Sequence, residues 1–136
     1  MSFVVDASIA LAWFLPDEAS SSAHLLLDRI VLESACAPAI WPLEITNALL
    51  VTEQRKRISG AERASFLDLL AALPVSVDQP AALVDLPAIS TIAREHALSA
   101  YDAWYLHLAQ SRRIPLATFD QPLRAAAARS GVATLP

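Results

Sequence analysis

Glycine is almost missing: Gly60 and Gly131 are the only two among 136 residues. A phosphate-cradling loop needs several glycines in close succession, so nucleotide binding through such a loop is excluded. Cysteine is rarer still, and Cys36 alone can form neither an internal disulfide nor a two-thiolate zinc site. The three histidines, His24, His96 and His107, show no metal-ligand spacing and read as incidental. Long apolar runs are absent too. The longest uncharged stretches, such as Ala7 to Pro16 and Ser34 to Leu43, fall well short of the roughly 20 residues a spanning helix needs. No basic residue precedes Asp6, so the start does not resemble a signal peptide, and the expected location is the cytoplasm.

What is present is apolar: 55% of residues are hydrophobic and 18% charged, the reverse of a disordered composition. The length suits one domain over residues 1–136, with no repeat or low-complexity linker to divide it. A net charge of −4 counts against a simple nucleic-acid binder, which usually carries a basic surface. Setting aside Asp6, Glu44, Asp102 and Asp120 leaves 10 acidic against 10 basic residues. If those four converge on cations, the remaining surface is neutral. Nine of the ten bases are arginine, the better residue for planar recognition of phosphate.

Along the chain, Ser2 to Val5 is β-prone, and Ile9 to Leu15 is an apolar run that Pro16 closes, so a strand passes into a helix with Asp6 between them. A second helix is expected over Glu18 to Leu32 and a buried strand over Ala35 to Ala39. Pro42 suits the first residue of a helix reaching Arg57, which puts Glu44 in its first turn. Ser59 and Glu62 match a capping box for a helix ended by Pro74, with Phe66, Leu69, Leu70 and Leu73 on its apolar side. Val75 to Val77 alternates as a short strand. Gln79 to His96 reads as helix in two pieces, broken near Pro87. A helix from Ser99 to Ser111, a strand from Pro115 to Phe119, and a helix from Leu123 to Arg129 stopped by Gly131 complete the pattern.

Strands alternating with helices, without hairpin turns, predict a three-layer α/β domain with a mostly parallel central sheet flanked by helices. Ligands of such sheets bind beyond the carboxyl ends of the strands. Asp6 and Asp120 fall at such ends, while Glu44 and Asp102 begin helices. Hard divalent cations prefer oxygen ligands, and four gathered carboxylates would repel one another without one. Each acid also has a plain structural role open to it. Asp6 can cap its helix, Asp102 fits a looser capping pattern after Ser99, Glu44 suits the positive end of a helix, and Asp120 before Pro122 can serve a turn.

The segments Val4-Val5-Asp6-Ala7-Ser8, Trp41-Pro42-Leu43-Glu44-Ile45-Thr46-Asn47, Leu98-Ser99-Ala100-Tyr101-Asp102-Ala103 and Leu116-Ala117-Thr118-Phe119-Asp120 resemble the four acidic blocks of PIN-domain ribonucleases. The likeness is strongest to VapC-type toxins of toxin–antitoxin pairs, and extends to Leu123-Arg124-Ala125-Ala126 and Gly131-Val132 in the tail. It implies a PIN-like (Rossmann-like) fold in which Asp6, Glu44, Asp102 and Asp120 bind Mg²⁺ or Mn²⁺. It further implies a metal-dependent endoribonuclease leaving 5′-phosphate and 3′-hydroxyl ends. Ser8 and Thr118 match the family's hydroxyl positions beside the acids, where they would orient a carboxylate, a water or a phosphate. Asn47 matches an asparagine one turn from the glutamate. An antitoxin partner and a homodimer follow from the resemblance alone.

Two basic runs, Arg55-Lys56-Arg57 and Arg112-Arg113, are candidates for holding the RNA backbone, although cations also favour helix C-termini for their own sake. Trp13, Phe14, Trp41, Trp104 and Tyr105 are able to stack bases or accept an apolar helix from a partner, although aromatic residues at such spacings are usually core. One rival function is an acid-dependent phosphatase with Asp6 as nucleophile. That chemistry wants a second aspartate two residues on and a nearby lysine, whereas Ser8 stands there and Lys56 is the only lysine. The other rival is a non-catalytic interaction module on the same fold.

Overall fold

The structure, a computed structural model, describes residues 2–78 and 83–136. Among these, five strands form one sheet: β1 (Phe3–Val5), β2 (Ala35–Ala37), β3 (Val75–Val77), β4 (Leu116–Ala117) and β5 (Thr134–Leu135). Their order is β3-β2-β1-β4-β5, and every pairing is parallel. Seven α-helices flank the sheet among the described residues: α1 (Ala7–Phe14), α2 (Ser21–Leu32), α3 (Trp41–Gln54), α4 (Gly60–Ala72), α5 (Leu86–His96), α6 (Ala100–Arg112) and α7 (Gln121–Arg129). The three-layer α/β expectation therefore holds.

Burial follows strand position. Phe3, Val4 and Val5 of central β1 are wholly buried, as apolar strands of a parallel sheet covered on both faces must be. Edge strand β3 has no buried residue. The core extends from β1 to Ile9, Leu26, Ile45, Leu49, Tyr105, Leu106 and Leu123 on the surrounding helices. Cys36 is buried within it as a free thiol.

Local chemistry explains the helix boundaries. Ser59 and Glu62 form the expected capping box at α4, and Gly131, at φ 72°, takes up the left-handed backbone just past α7. Several expectations need correction. The helix expected from Glu18 begins only at Ser21, because Pro16–Glu18 forms a separate 3₁₀ turn and Ser20 supplies the cap. The two helical pieces expected around Pro87 are a 3₁₀ turn at Leu83–Asp85 and α5 from Leu86, with Pro87 in the first turn of α5, where its missing N–H costs nothing. Residues 79–82 of that predicted helix lie outside the described residues. Leu69 is 53% exposed, so the apolar side of α4 rests on Leu70, Phe66 and Leu73 instead. β5 was not anticipated. Two residues between Ala133 and a proline carry no periodicity, and only pairing with β4 defines them.

Candidate active site

Strand order reverses direction between β1 and β4: the chain leaves β1 for β2 on one side, then crosses to β4 on the other. In open parallel sheets this switch point leaves a crevice at the strands' carboxyl ends. Asp6 follows β1 and Asp120 lies just beyond β4, so both flank that crevice.

Asp6 is 6% exposed, and its carboxylate is held on both oxygens. Oδ1 accepts from Ser8 Oγ at 2.6 Å and from the Ile9 N–H at 3.2 Å, while Oδ2 accepts a short bond from Thr118 Oγ1. The same hydroxyls reach back to the neighbouring strand end. Ser8 Oγ accepts from the Phe119 N–H at 2.9 Å, and Thr118 Oγ1 accepts from the Asp120 N–H at 3.0 Å. Ser8 and Thr118 thus orient the Asp6 carboxylate and lock the ends of β1 and β4 together. Asp6 and Asp120 also cap α1 and α7 through the Ile9 and Leu123 N–H groups. Their structural and chemical readings coexist.

Glu44 stands in the first turn of α3 after Pro42, and Asp102 in the first turn of α6, where its N–H donates to Ser99 Oγ at 3.1 Å. Both helices point their positive ends at the cluster. Tyr105, one turn beyond Asp102 and 1% exposed, donates its hydroxyl to Glu44 Oε1 at 2.6 Å. Tyr105 is thus core, as its aromatic spacing suggests, and also a polar partner of Glu44, a role the sequence does not announce. The contact joins positions 61 residues apart, and only the three-residue spacing from Asp102 hinted at a shared face.

The electrostatics link the four acids. Burial pushes the Asp6 carboxyl up to about 6; its hydrogen bonds from Ser8, Thr118 and Ile9 oppose this, and the Asp120 charge adds to it. Glu44 is raised by burial, against the Tyr105 bond, and further by the charge of Asp102. Asp102 is raised by burial and by Asp120, with a Ser99 hydrogen bond opposing. The Tyr105 phenol is driven far up by burial and then by Glu44, so it remains a donor. Each shift means that a negative charge is unwelcome where the fold has put it, and a cation relieves that cost.

The donor set suits a hard divalent ion, being carboxylate oxygen throughout. Among the described residues, no three His, Cys, Asp or Glu side chains stand close enough to enclose one ion.

Other expected residues lie apart. Asn47 is exposed on α3, one turn from Glu44. Arg55, Lys56 and Arg57 come at the far end of α3, roughly 16 Å along the axis from Glu44 by helix rise. Arg57 is ion-paired with Asp17. Arg112 and Arg113 end α6, about 15 Å of helix from Asp102, and Arg112 is bound to Asp78. Neither run is brought to the carboxylates. Arg124 donates to the carbonyls of Thr118 at 2.9 Å and Leu135 at 3.1 Å, tying β5 to the β4 end. No described helix is long and apolar enough to cross a membrane.

A family model described as PIN domain matches residues 3–129. The crystal structure of PAE2754 from Pyrobaculum aerophilum is similar at 24% identity and a TM-score of 0.69, over 98% of this chain and 83% of that one. FitAcB from Neisseria gonorrhoeae is similar at 17% identity and the same TM-score of 0.69, over 98% of this chain and 96% of that one. At these identities the likeness establishes the fold. No curated protein gives a significant sequence match.

Proposed function

The chain belongs to the PIN domain family, whose members are typically nucleases, and on that premise we propose that residues 1–136 form one domain that hydrolyses RNA with the help of Mg²⁺ or Mn²⁺. The observation that carries this reading is the charge coupling of Asp6, Glu44, Asp102 and Asp120 at the sheet's switch point. Asp6, Glu44 and Asp102, raised by burial and by neighbouring acid charge, make a poor empty site and a good cation site.

These four would hold the ion, which supplies a nucleophilic water at neutral pH and neutralises charge on the leaving oxygen. The remaining work belongs to the chain. Ser8 and Thr118 fix the Asp6 carboxylate so that it does not turn toward its own helix alone. Attack in line with the 3′ oxygen leaves a 5′-phosphate and a 3′-hydroxyl, without a covalent enzyme intermediate. Asn47 is available to the sugar–phosphate backbone beside Glu44. Any contact of Arg55, Lys56, Arg57, Arg112 or Arg113 with RNA falls away from the cut, since these residues sit at distant helix ends.

The resemblance of the four acidic blocks to VapC-type toxins supports a role as the toxin of a toxin–antitoxin pair, with an antitoxin partner and a homodimer as its assembly. Incubating the purified, partner-free protein with total bacterial RNA and Mg²⁺ or Mn²⁺ tests the activity. Discrete fragments with 5′-phosphate ends are expected, abolished by EDTA and absent with Asp102→Asn. A folded, metal-binding protein that leaves RNA intact would turn the reading toward an interaction module.

A further inference from the structure

Of the chain's four phenylalanines, three tryptophans and two tyrosines, all are buried or half-buried except Tyr101, which is 60% exposed. An exposed ring means little by itself. Its position gives it meaning. Tyr101 lies in the first turn of α6, directly before Asp102. It also stands four residues before Tyr105, so the two rings share a face of the helix. That face looks toward α3, because Tyr105 gives its hydroxyl to Glu44 across the gap. Helical side chains lean toward the N-terminus of their helix, which carries the Tyr101 ring past Tyr105 to the rim beside Glu44 and Asp102.

The same rim is short of cations. The basic runs Arg55-Lys56-Arg57 and Arg112-Arg113 come at helix ends roughly 15 Å along the axis from Glu44 and Asp102. Arg124 is engaged by the carbonyls of Thr118 and Leu135. Side-chain cations therefore supply little of the hold on RNA next to the acids. Stacking needs no charge, since every base has a π-face that an aromatic side chain can cover. A base offers that face to a protein only when it is unpaired and splayed out of the helix. We propose that Tyr101 is a substrate-binding residue on which an unpaired base next to the scissile phosphate stacks, so that the site selects single-stranded segments of RNA. Such a contact gives a chain of net charge −4 a charge-independent grip on a polyanion. The proposal rests on the reading of the acidic cluster as an RNA-cleaving site.

The test uses a short unstructured oligoribonucleotide that contains a cleavage site mapped in total RNA, with 2-aminopurine beside the scissile phosphate, and the same strand annealed to its complement. Single-turnover stopped-flow in Mg²⁺ follows the quenching of the 2-aminopurine, which reports stacking, and then the cut. Wild type should quench the probe before cutting it and should prefer the single strand. Tyr101→Ala should lose the quench and need about tenfold more enzyme for half-saturation, the size of one base–aromatic stack. Tyr101→Phe keeps the ring and should behave as wild type. An abasic site in place of the 2-aminopurine should erase the difference between wild type and Tyr101→Ala. Wild-type quenching and saturation by Tyr101→Ala overturn the proposal and leave the exposed ring to a protein partner. Equal losses in Tyr101→Ala and Tyr101→Phe overturn it too, because the hydroxyl and not the ring would then make the contact. A wild-type protein that cuts no RNA overturns the RNA-cleavage reading itself, and the proposal with it.

Discussion

The two sides of the sheet's carboxyl edge are built differently. On the β1/β4 side, Asp6, Ser8, Thr118 and Asp120 are cross-linked by side-chain hydrogen bonds that also join the strand ends. On the side of β2 and β3, Glu44 is reached by one buried hydroxyl, β3 is an edge with Val77 44% exposed, and α4 has Leu70 as its one buried residue. The first side is organised around a charge it would rather not bury. The second is an ordinary helix-on-sheet margin. Of the three buried polar or charged side chains among the described residues, Asp6 and Thr118 lie on the first side and Thr52 lies on α3.

Substitutions should separate the two sides. The largest effect is expected for Asp6→Asn or Asp102→Asn, each lowering the RNA cleavage rate about 1000-fold, since cation-borne charge stabilisation amounts to several kcal/mol. Rates from a single-turnover assay check this, and retained cleavage in both variants would detach the cluster from the activity.

Next comes the stability of the metal-free protein. The folded Asp6 carboxyl, at about 6, sits above its unfolded value of 3.8, so the unfolded chain gives up its proton first as pH rises. Stability should therefore fall between about pH 4 and 6 and carry the full loss above it, on the order of 3 kcal/mol from this group. Denaturant melts at pH 5 and 7.5 read the difference, and Asp6→Asn should recover much of it at pH 7.5. Stability that rises across this window would contradict the burial account. The same substitution is thus expected to stabilise the fold and to destroy function, which a purely structural cap would not do.

Thr118→Val and Ser8→Ala should each weaken Mn²⁺ binding by about 10- to 100-fold, as loss of a ligand's outer partner usually does. On the other side, Ser59→Ala removes half of a capping box and should cost about 1 kcal/mol in a melt while leaving single-turnover cleavage unchanged. Leu69→Gln, on the exposed face of α4, should stay within about 0.5 kcal/mol.

The same contrast governed what could be read from sequence. Asp6 and Asp120 were legible because each follows a short apolar run and opens a helix, a local pattern that the fold preserves. Glu44 was legible through Pro42, which marks a helix start. Tyr105 was not, because a hydrogen bond between two helices leaves no spacing in the chain. β5 escaped for the same reason: its two residues become a strand only by pairing. Leu69 misled in a different way: helical spacing names a face but not how far its neighbours cover it.

Whether Asp6, Glu44, Asp102 and Asp120 together form a cation site is read from an anomalous-scattering map of crystals grown with Mn²⁺. A peak is expected at the switch point, bonded to oxygens of at least two of the four carboxylates and absent from Asp102→Asn crystals. Well-ordered carboxylates with no peak at millimolar Mn²⁺, or a peak elsewhere on the surface, would contradict it.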